Sequence, residues 1–484
     1  MIKELEPLLK NRKSLYVTLL ISLVYIVPIL IADFNYLDDY GRDLYGYGWQ
    51  HDGRFIATFL GKLWSLNSTI VSIYPFSLIL SALILGFTGY LVVSLLKIED
   101  NKTLKWSSLL ILTSPFFLGN IVFKYDCLPM AMSFLCVVFP FVFYNNKVKF
   151  AISAFAGVFL AFGLYQPTAT TFLILACAFI VQTLFKDNFK RLVQNGLIVI
   201  SAFVFAYFVH ILIVKFCNLP TSGRDELILF KSNFIENLLF NQTQYLERLL
   251  SLMNTGNYKY LSYFFIACTV LGVMFSVVHK SIFKSIFSIL LIFTLFIAAF
   301  YLIPSVNMLL KESYWDLRSF TGLGFIGVLA MFFQSFLPNK IQFFSRLSCG
   351  LIVAFSFILA AQFSRMLNNQ TEYQRYFVTE LNALLKNKPI TKIAFIGLLP
   401  NAPKNEFAYH NFPIFQNLLG KPISQFSAWN KPILDQYGRF RNIDFINGEE
   451  LKCKGILIED AYLYHVKEIN GTTLVIDFNK TTCI

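Results

Sequence analysis

The sequence predicts a polytopic α-helical membrane protein of about eleven transmembrane helices, followed by a small C-terminal α/β or α+β domain. Three observations carry this reading. Of 484 residues, 56% are hydrophobic and 14% charged, whereas a soluble domain carries about 25% charged residues to keep its surface wet. The charges are also clustered, leaving ten uncharged runs long enough to cross a hydrocarbon core of about 30 Å. Beyond Phe363 the composition turns polar, and no run there is able to span. A disordered chain, a coiled coil, a disulfide-dense secreted fold or a soluble multidomain enzyme does not fit these numbers.

In chain order the uncharged runs are 14–32, 63–96, 106–123, 127–146, 150–185, 192–214, 260–279, 285–310, 319–339 and 347–364. A charge at mid-bilayer costs several kcal/mol, so each run is a candidate span. The run 150–185 is 36 residues long, too long for one crossing. Gln166-Pro167 lies near its middle, where proline removes a backbone donor and restrains the residue before it. Two spans joined by a tight re-entry are expected there, giving eleven crossings from ten runs. The run 63–96 has room for an interfacial helix ahead of its span. No small-residue cleavage pattern follows the first run, which is expected to be retained as a span.

The net charge of +13 raises nucleic acid as a partner, but its distribution argues for a membrane instead. With the N-terminus inside, segments 1–13, 97–105, 145–149, 186–191, 279–284 and 337–346 hold 16 Lys+Arg against 5 Asp+Glu. The opposite-side loops 33–62, 124–126, 165–167, 215–259 and 304–318 hold 11 against 12. This asymmetry is the positive-inside pattern. It predicts a cytoplasmic N-terminus, and the odd number of crossings places the C-terminal domain on the outer face.

The expected domains are 1–363, transmembrane, and 364–484, soluble. In the latter, Lys392-Ile393-Ala394-Phe395-Ile396-Gly397 reads as a buried strand ended by glycine. Tyr462 to Phe478 reads as two strands joined at Asn470-Gly471, a strong hairpin signal. Its two cysteines, Cys453 and Cys483, would contribute roughly 3–4 kcal/mol if bridged in an oxidising compartment; two free thiols fit the sequence equally well. The other six cysteines lie in or beside spans, where they pack as small apolar groups.

The densest polar stretch outside that domain is the first outer loop, Asp33 to Lys62, with five carboxylates, two arginines, one histidine and four tyrosines. It includes Tyr36, Asp38, Asp39, Tyr40, Arg42, Trp49 and Arg54. Two adjacent carboxylates beside a membrane repel, so one keeps a proton or recruits a cation, and either arrangement suits general-base or metal-assisted chemistry. A solvated acidic turn that helps orient the chain is the alternative. Further outer-face candidates are Lys124 and Asp126, the pair Tyr165-Gln166, and Trp315 with Arg318. Arginine and lysine at membrane level suit a lipid phosphate. Tyrosine and tryptophan stack on sugars, although interfacial aromatic belts use the same residues. Gly322-Leu323-Gly324-Phe325-Ile326-Gly327 matches a dinucleotide fingerprint but falls inside an apolar run, so helix packing is expected. His210 and His279 sit near span ends as expected structural residues. Without a nucleotide motif, group transfer on the outer face needs a donor delivered through the membrane.

The stretch Tyr36-Leu37-Asp38-Asp39-Tyr40-Gly41-Arg42 with Gly53-Arg54, together with Phe123-Lys124-Tyr125-Asp126 and Leu164-Tyr165-Gln166, resembles the phage-type, serotype-converting O-antigen glucosyltransferases. These are similar to the multispan GT-C class, and the resemblance covers most of residues 14–200. It implies a bacterial inner-membrane enzyme that takes glucose from undecaprenyl-phosphate glucose and adds it to lipid-linked O-antigen in the periplasm, modifying lipopolysaccharide. It also implies dependence on a synthase that makes the donor and a flippase that delivers it. A β-linked donor and an α-linked product mean inversion, which fits one carboxylate base. Asp38 or Asp39 is assigned that role, and Asp126 follows as base or acceptor ligand. Arg42, Arg54, Lys124 and Arg318 are assigned to the leaving phosphate. Tyr36, Tyr40, Trp49, Tyr165, Gln166 and Trp315 are assigned to the sugars. Many enzymes of the class hold a divalent cation at this place.

Two other classes fit the composition. A flippase or transporter of a lipid-linked sugar calls for ionisable residues within spans, and the uncharged runs have no Asp, Glu, Lys or Arg. A membrane O-acyltransferase of the polysaccharide calls for a histidine base near a span end, for which His210 is the candidate. The C-terminal domain is expected to bind or cap the acceptor.

Overall fold

The computed structural model describes residues 4, 11–98, 105–186, 188–219, 227–228, 233–277, 282–386, 388–421, 423–425, 427–438, 440, 442–461 and 463–481. The chain divides into two compact units. One, here the helical unit, comprises Met1–Ile31, Gly48–Ala361 and Phe412–Leu418. The other, the sheet unit, comprises Ala32–Tyr47, Gln362–Asn411 and Leu419–Ile484. The first half of the acidic loop belongs to the sheet unit, and a short piece of the C-terminal region belongs to the helical one.

The helical unit is built from α1 (Arg12–Ala32), α3 (Phe55–Ser65), α4 (Phe76–Leu95), α5 (Leu118–Ile121), α6 (Cys127–Val138), α7 (Lys147–Leu164), α8 (Ala169–Leu184), α9 (Phe189–Phe216), α10 (Phe234–Met253), α11 (Tyr258–Val277), α12 (Ile282–Tyr301), α13 (Leu323–Gln334), the first part of α14 (Gln342–Leu385) and α16 (Ile414–Leu418). Among the described residues, seven helices are long and apolar enough to cross a membrane, and three shorter apolar helices accompany them. The expectation of eleven crossings is therefore not met.

The run 106–123 accounts for part of the difference. It folds as two 3-10 turns and the four-residue α5, not as a span. Ser114 is held extended ahead of Pro115 (ψ 125°), as proline requires. From Ser107 to Phe123 the run is buried. It lacks charge because it is core, and irregular backbone at such a place is tolerated only inside protein. Gly89 of α4 lets the Ser108 main chain pass where any side chain would strike its carbonyl. Gly324 of α13 does the same for Leu110 and Ile111, so the fingerprint-like glycines serve packing. The run 150–185 does break where expected, with Tyr165 extended between α7 and α8.

The sheet unit holds a five-stranded sheet in the order β2-β1-β5-β4-β3, with β1 (Lys392–Ile396), β2 (Asp444–Asn447), β3 (Ile456–Asp460), β4 (His465–Ile469) and β5 (Thr473–Asp477). β1 runs parallel to both β2 and β5, and β4 pairs antiparallel with β3 and β5. Asn470 and Gly471 both adopt positive φ (53° and 69°) at the β4–β5 turn, the conformation that favours Asn-Gly in tight hairpins. Tyr462, the expected start of this hairpin, lies outside the described residues. Phe377, Val378 and Leu381 of α14 pack on Ile393, Phe395, Val466, Leu474 and Ile476 of the sheet, and Tyr40 of α2 (Asp38–Tyr45) joins the same core. The short helix α15 (Glu406–Asn411) and α17 (Asn430–Tyr437) complete the unit, and α17 packs against α2. Cys453 is disulfide-bonded; its expected partner, Cys483, lies outside the described residues. The other six cysteines are free thiols.

Candidate active site

In the sheet unit the site residues sit on α2. Leu37 takes positive φ (46°) just before it, turning the chain so that the Asp39 and Tyr40 amides reach the carbonyls of Tyr36 and Leu37. Asp39 closes this turn: its Oδ2 accepts the Tyr36 main-chain N–H at 3.2 Å, and the residue is wholly buried. Both aspartates occupy the first turn of α2, where the helix dipole favours negative charge. Asp38 differs from its neighbour. Its Oδ1 accepts the indole N–H of Trp429 at 3.0 Å, Arg42 lies 3.9 Å from its Oδ2, and its side chain is 25% exposed. Arg42 is buried, with its guanidinium 5.3 Å from the Tyr47 ring centre.

Tyr36, just ahead of α2, and Tyr40 within it serve as packing and donor groups. Tyr36 is buried edge-to-face on Phe363. Tyr40 is buried and donates its hydroxyl to Gln374 at 3.2 Å. Burial, then the neighbouring Tyr437, pushes its pKa well above the ordinary value, so it stays a donor.

The helical unit gathers a second set. Trp49 is fixed by its N–H to Thr58 (2.8 Å), and a turn through Gly53 (φ 70°) delivers Arg54 to the start of α3. Asp126, at the start of α6, accepts the Trp49 indole N–H at 2.7 Å and Arg54 at 3.4 Å and is 2% exposed. Arg54 also donates to Gln166 Oε1 at 3.0 Å and lies 4.7 Å from the centre of the Tyr165 ring. Gln166 in turn donates to the Asp52 carbonyl. The Tyr165 hydroxyl donates to the Arg318 carbonyl at 2.7 Å, and Asn120 donates to both oxygens. The Arg318 guanidinium donates to the Tyr314 hydroxyl (2.7 Å), lies 3.5 Å from Asp316 and 5.2 Å from the Phe123 ring centre.

The expected residues thus fall into two groups, Arg54, Asp126, Trp49, Tyr165, Gln166 and Arg318 in the helical unit, and Asp38, Asp39, Arg42, Tyr36 and Tyr40 in the sheet unit. Lys124 stands beside the first group, its ammonium 4.9 Å from the Tyr74 ring centre. Trp49 and Tyr165 are buried, whereas Gln166 and Trp315 are half-buried. His210 is packed between Phe55 and Phe162, at 5.6 and 5.5 Å; His279 lies outside the described residues. Among the described residues no three His, Cys, Asp or Glu side chains converge to hold a metal ion. One oxygen of each of Asp38 and Asp39 serves a different donor, the Trp429 indole and the Tyr36 main chain. Trp429 and Asn120 escaped the sequence reading. Trp429 lies far along the chain with no motif around it, while Asn120 is one polar residue in an apolar run, a signal that was available.

Residues 27–329 match the family described as Glucosyl transferase GtrII. The chain belongs to the GtrII glucosyl transferase family. This membership makes it a glycosyltransferase, and the matched span takes in α2 and every candidate of the helical unit, ending ahead of Trp429. The chain is also 26% identical, over 479 residues, to a 55.3 kDa protein of Salmonella phage P22 described as uncharacterized and in the gtrB 5′ region. That similarity covers 95% of this chain and 97% of the phage protein, sheet unit included. No solved structure matches the chain.

Proposed function

We propose that this GtrII-family glucosyl transferase is a GT-C-like inner-membrane enzyme that moves glucose from a polyprenyl-phosphate donor to a sugar hydroxyl of lipid-linked O-antigen, on the periplasmic face and with inversion. The observation that carries the assignment of the base is the unequal pair on α2. Asp39 is committed to the Tyr36 amide, whereas Asp38 keeps a partly open carboxylate oriented by the Trp429 N–H and Arg42. Asp38 takes the proton of the acceptor hydroxyl, the freed oxygen attacks the anomeric carbon, and the bond from that carbon to the phosphate oxygen breaks. The electron pair leaves with the lipid phosphate, whose growing charge calls for fixed cations. Arg42, in the same unit as Asp38, is proposed for that work; Arg54, Lys124 and Arg318 are proposed phosphate ligands of the helical unit taken by itself. Asp126 then serves to hold Arg54, and Gln166 and Trp315 are proposed sugar contacts.

The test uses membranes supplied with polyprenyl-phosphate glucose and lipid-linked O-polysaccharide. Glycosyl linkage analysis is expected to show one added α-glucose with the wild-type protein and none with Asp38→Asn. Unchanged polysaccharide with the wild-type protein overturns the proposed substrates; full activity of Asp38→Asn overturns the base.

A further inference from the structure

A cavity of about 360 Å³ opens in the helical unit between the C-terminal ends of α4 and α8, the 139–146 turns and the start of α9. Nothing in the glucosyl-transfer scheme uses it. Lys97, Lys186 and Arg191 line it, and they come from the segments that the charge asymmetry assigns to the cytoplasmic side. Arg191 is fixed in place, its guanidinium donating to the Asn145 carbonyl at 2.7 Å. The three cations sense one another: the Lys186 ammonium is held below its usual pKa by burial, then by Lys97 and Arg191. Glu4 is the one carboxylate among the described lining residues, and it is paired with Lys149 at 2.6 Å. Half-buried Val142 and Phe143 give it an apolar wall, backed by buried rings. Phe141 stacks on Phe179 at 4.6 Å, and Tyr144 lies 4.9 Å from the same ring.

Converging cations repel unless an anion joins them, and phosphate oxygens are strong acceptors for lysine and arginine. Basic pockets between membrane helices at a cytoplasmic surface suit lipid phosphate groups. A soluble phosphate has no use for an apolar wall, whereas a lipid has apolar carbons next to its charge. We propose that this cavity is a binding site for the phosphate of an anionic membrane lipid, with Lys97, Lys186 and Arg191 holding the phosphate and the half-buried Val142 and Phe143 receiving the adjoining apolar carbons. The site stands independently of the glucosyl-transfer scheme.

Native mass spectrometry of the full-length protein, titrated with phosphatidylglycerol or phosphatidylcholine, tests this. Wild type is expected to prefer phosphatidylglycerol. Removing two near-surface charges in K97Q/K186Q is expected to lower that preference about thirtyfold, whereas K97R/K186R keeps it and so separates charge from misfolding. An unchanged preference in K97Q/K186Q overturns the proposal. An equal loss in K340Q/R346Q also overturns it, since diffuse charge then explains the binding. Inorganic phosphate in large excess identifies the source: failure to displace the lipid supports a lipid site, and full displacement overturns the lipid assignment in favour of a soluble phosphate.

Discussion

Asp38 and Asp126 are held by the same two chemical parts. Each accepts an indole N–H, from Trp429 at 3.0 Å and from Trp49 at 2.7 Å, and each faces an arginine, Arg42 at 3.9 Å and Arg54 at 3.4 Å. One trio lies in the sheet unit and the other in the helical unit. They differ in access, with Asp38 25% exposed and Asp126 2%. An oxygen that water can reach is one that a hydroxyl can also reach, so the Asp38 trio is equipped to receive a proton. A buried carboxylate in contact with a guanidinium instead fixes that guanidinium. The motif type is shared, and burial separates the proposed base from the proposed anchor.

The largest expected effect probes this contrast from the exposed side. Asp38→Asn keeps the shape and the Trp429 contact but removes the base, so kcat is expected to fall about 10²–10⁴-fold. The KM for the lipid donor should stay near wild type, because the interaction lost belongs to the transition state. Wild-type kcat for Asp38→Asn, with Asp126→Asn inactive but fully folded, would exchange the two roles.

Asp126→Asn probes the buried side. Breaking a buried ion pair leaves an uncompensated charge and costs about 3–5 kcal/mol, so thermal unfolding of the purified protein should shift clearly downward. Loss of activity should follow loss of folded protein. A folded Asp126→Asn variant with unchanged melting would mean that Arg54 does not depend on this carboxylate.

Trp429→Phe sharpens the comparison with a smaller change. It keeps the ring but removes the indole donor to Asp38, leaving Arg42 to orient the carboxylate. One hydrogen bond to a charged group predicts about a tenfold loss in kcat, with melting unchanged. Unaltered turnover would show that Trp429 packs beside α2 without positioning the base.

Much of this arrangement was legible in the sequence. Charge-free runs marked the apolar helices, the break at Tyr165-Gln166 was readable from Pro167, and the Asn470-Gly471 turn came from its own chemistry. The run 106–123 was misread because absence of charge marks burial in protein as well as burial in lipid, and Pro115 with Ser114 was the countersign. The candidate residues of the acidic loop were visible from their density. Their division between two units was not, because Tyr40 joins a core made with Phe377 and Ile393. Trp429 was invisible for the same reason: sequence spacing carries no trace of a hydrogen bond spanning 391 positions.

The smallest effect separates Asp39 from its neighbour. Asp39 is adjacent to Asp38 and of identical type, so the sequence could not rank them, and the structure does so through one contact. Its Oδ2 receives the Tyr36 main-chain N–H and has no exposure. Asn at position 39 retains a carbonyl oxygen for that amide and loses the favourable charge at the start of α2, a term of about 0.3–1 kcal/mol. Asp39→Asn is therefore expected to turn over within a few-fold of wild type. Asp39→Ala removes the acceptor altogether and leaves a buried N–H unpaired, costing about 1–3 kcal/mol. Its melting should drop while the remaining folded enzyme keeps its kcat. If Asp39→Asn instead loses activity as deeply as Asp38→Asn, with both proteins folded, the two carboxylates share the proton and the reading of one base beside one cap fails.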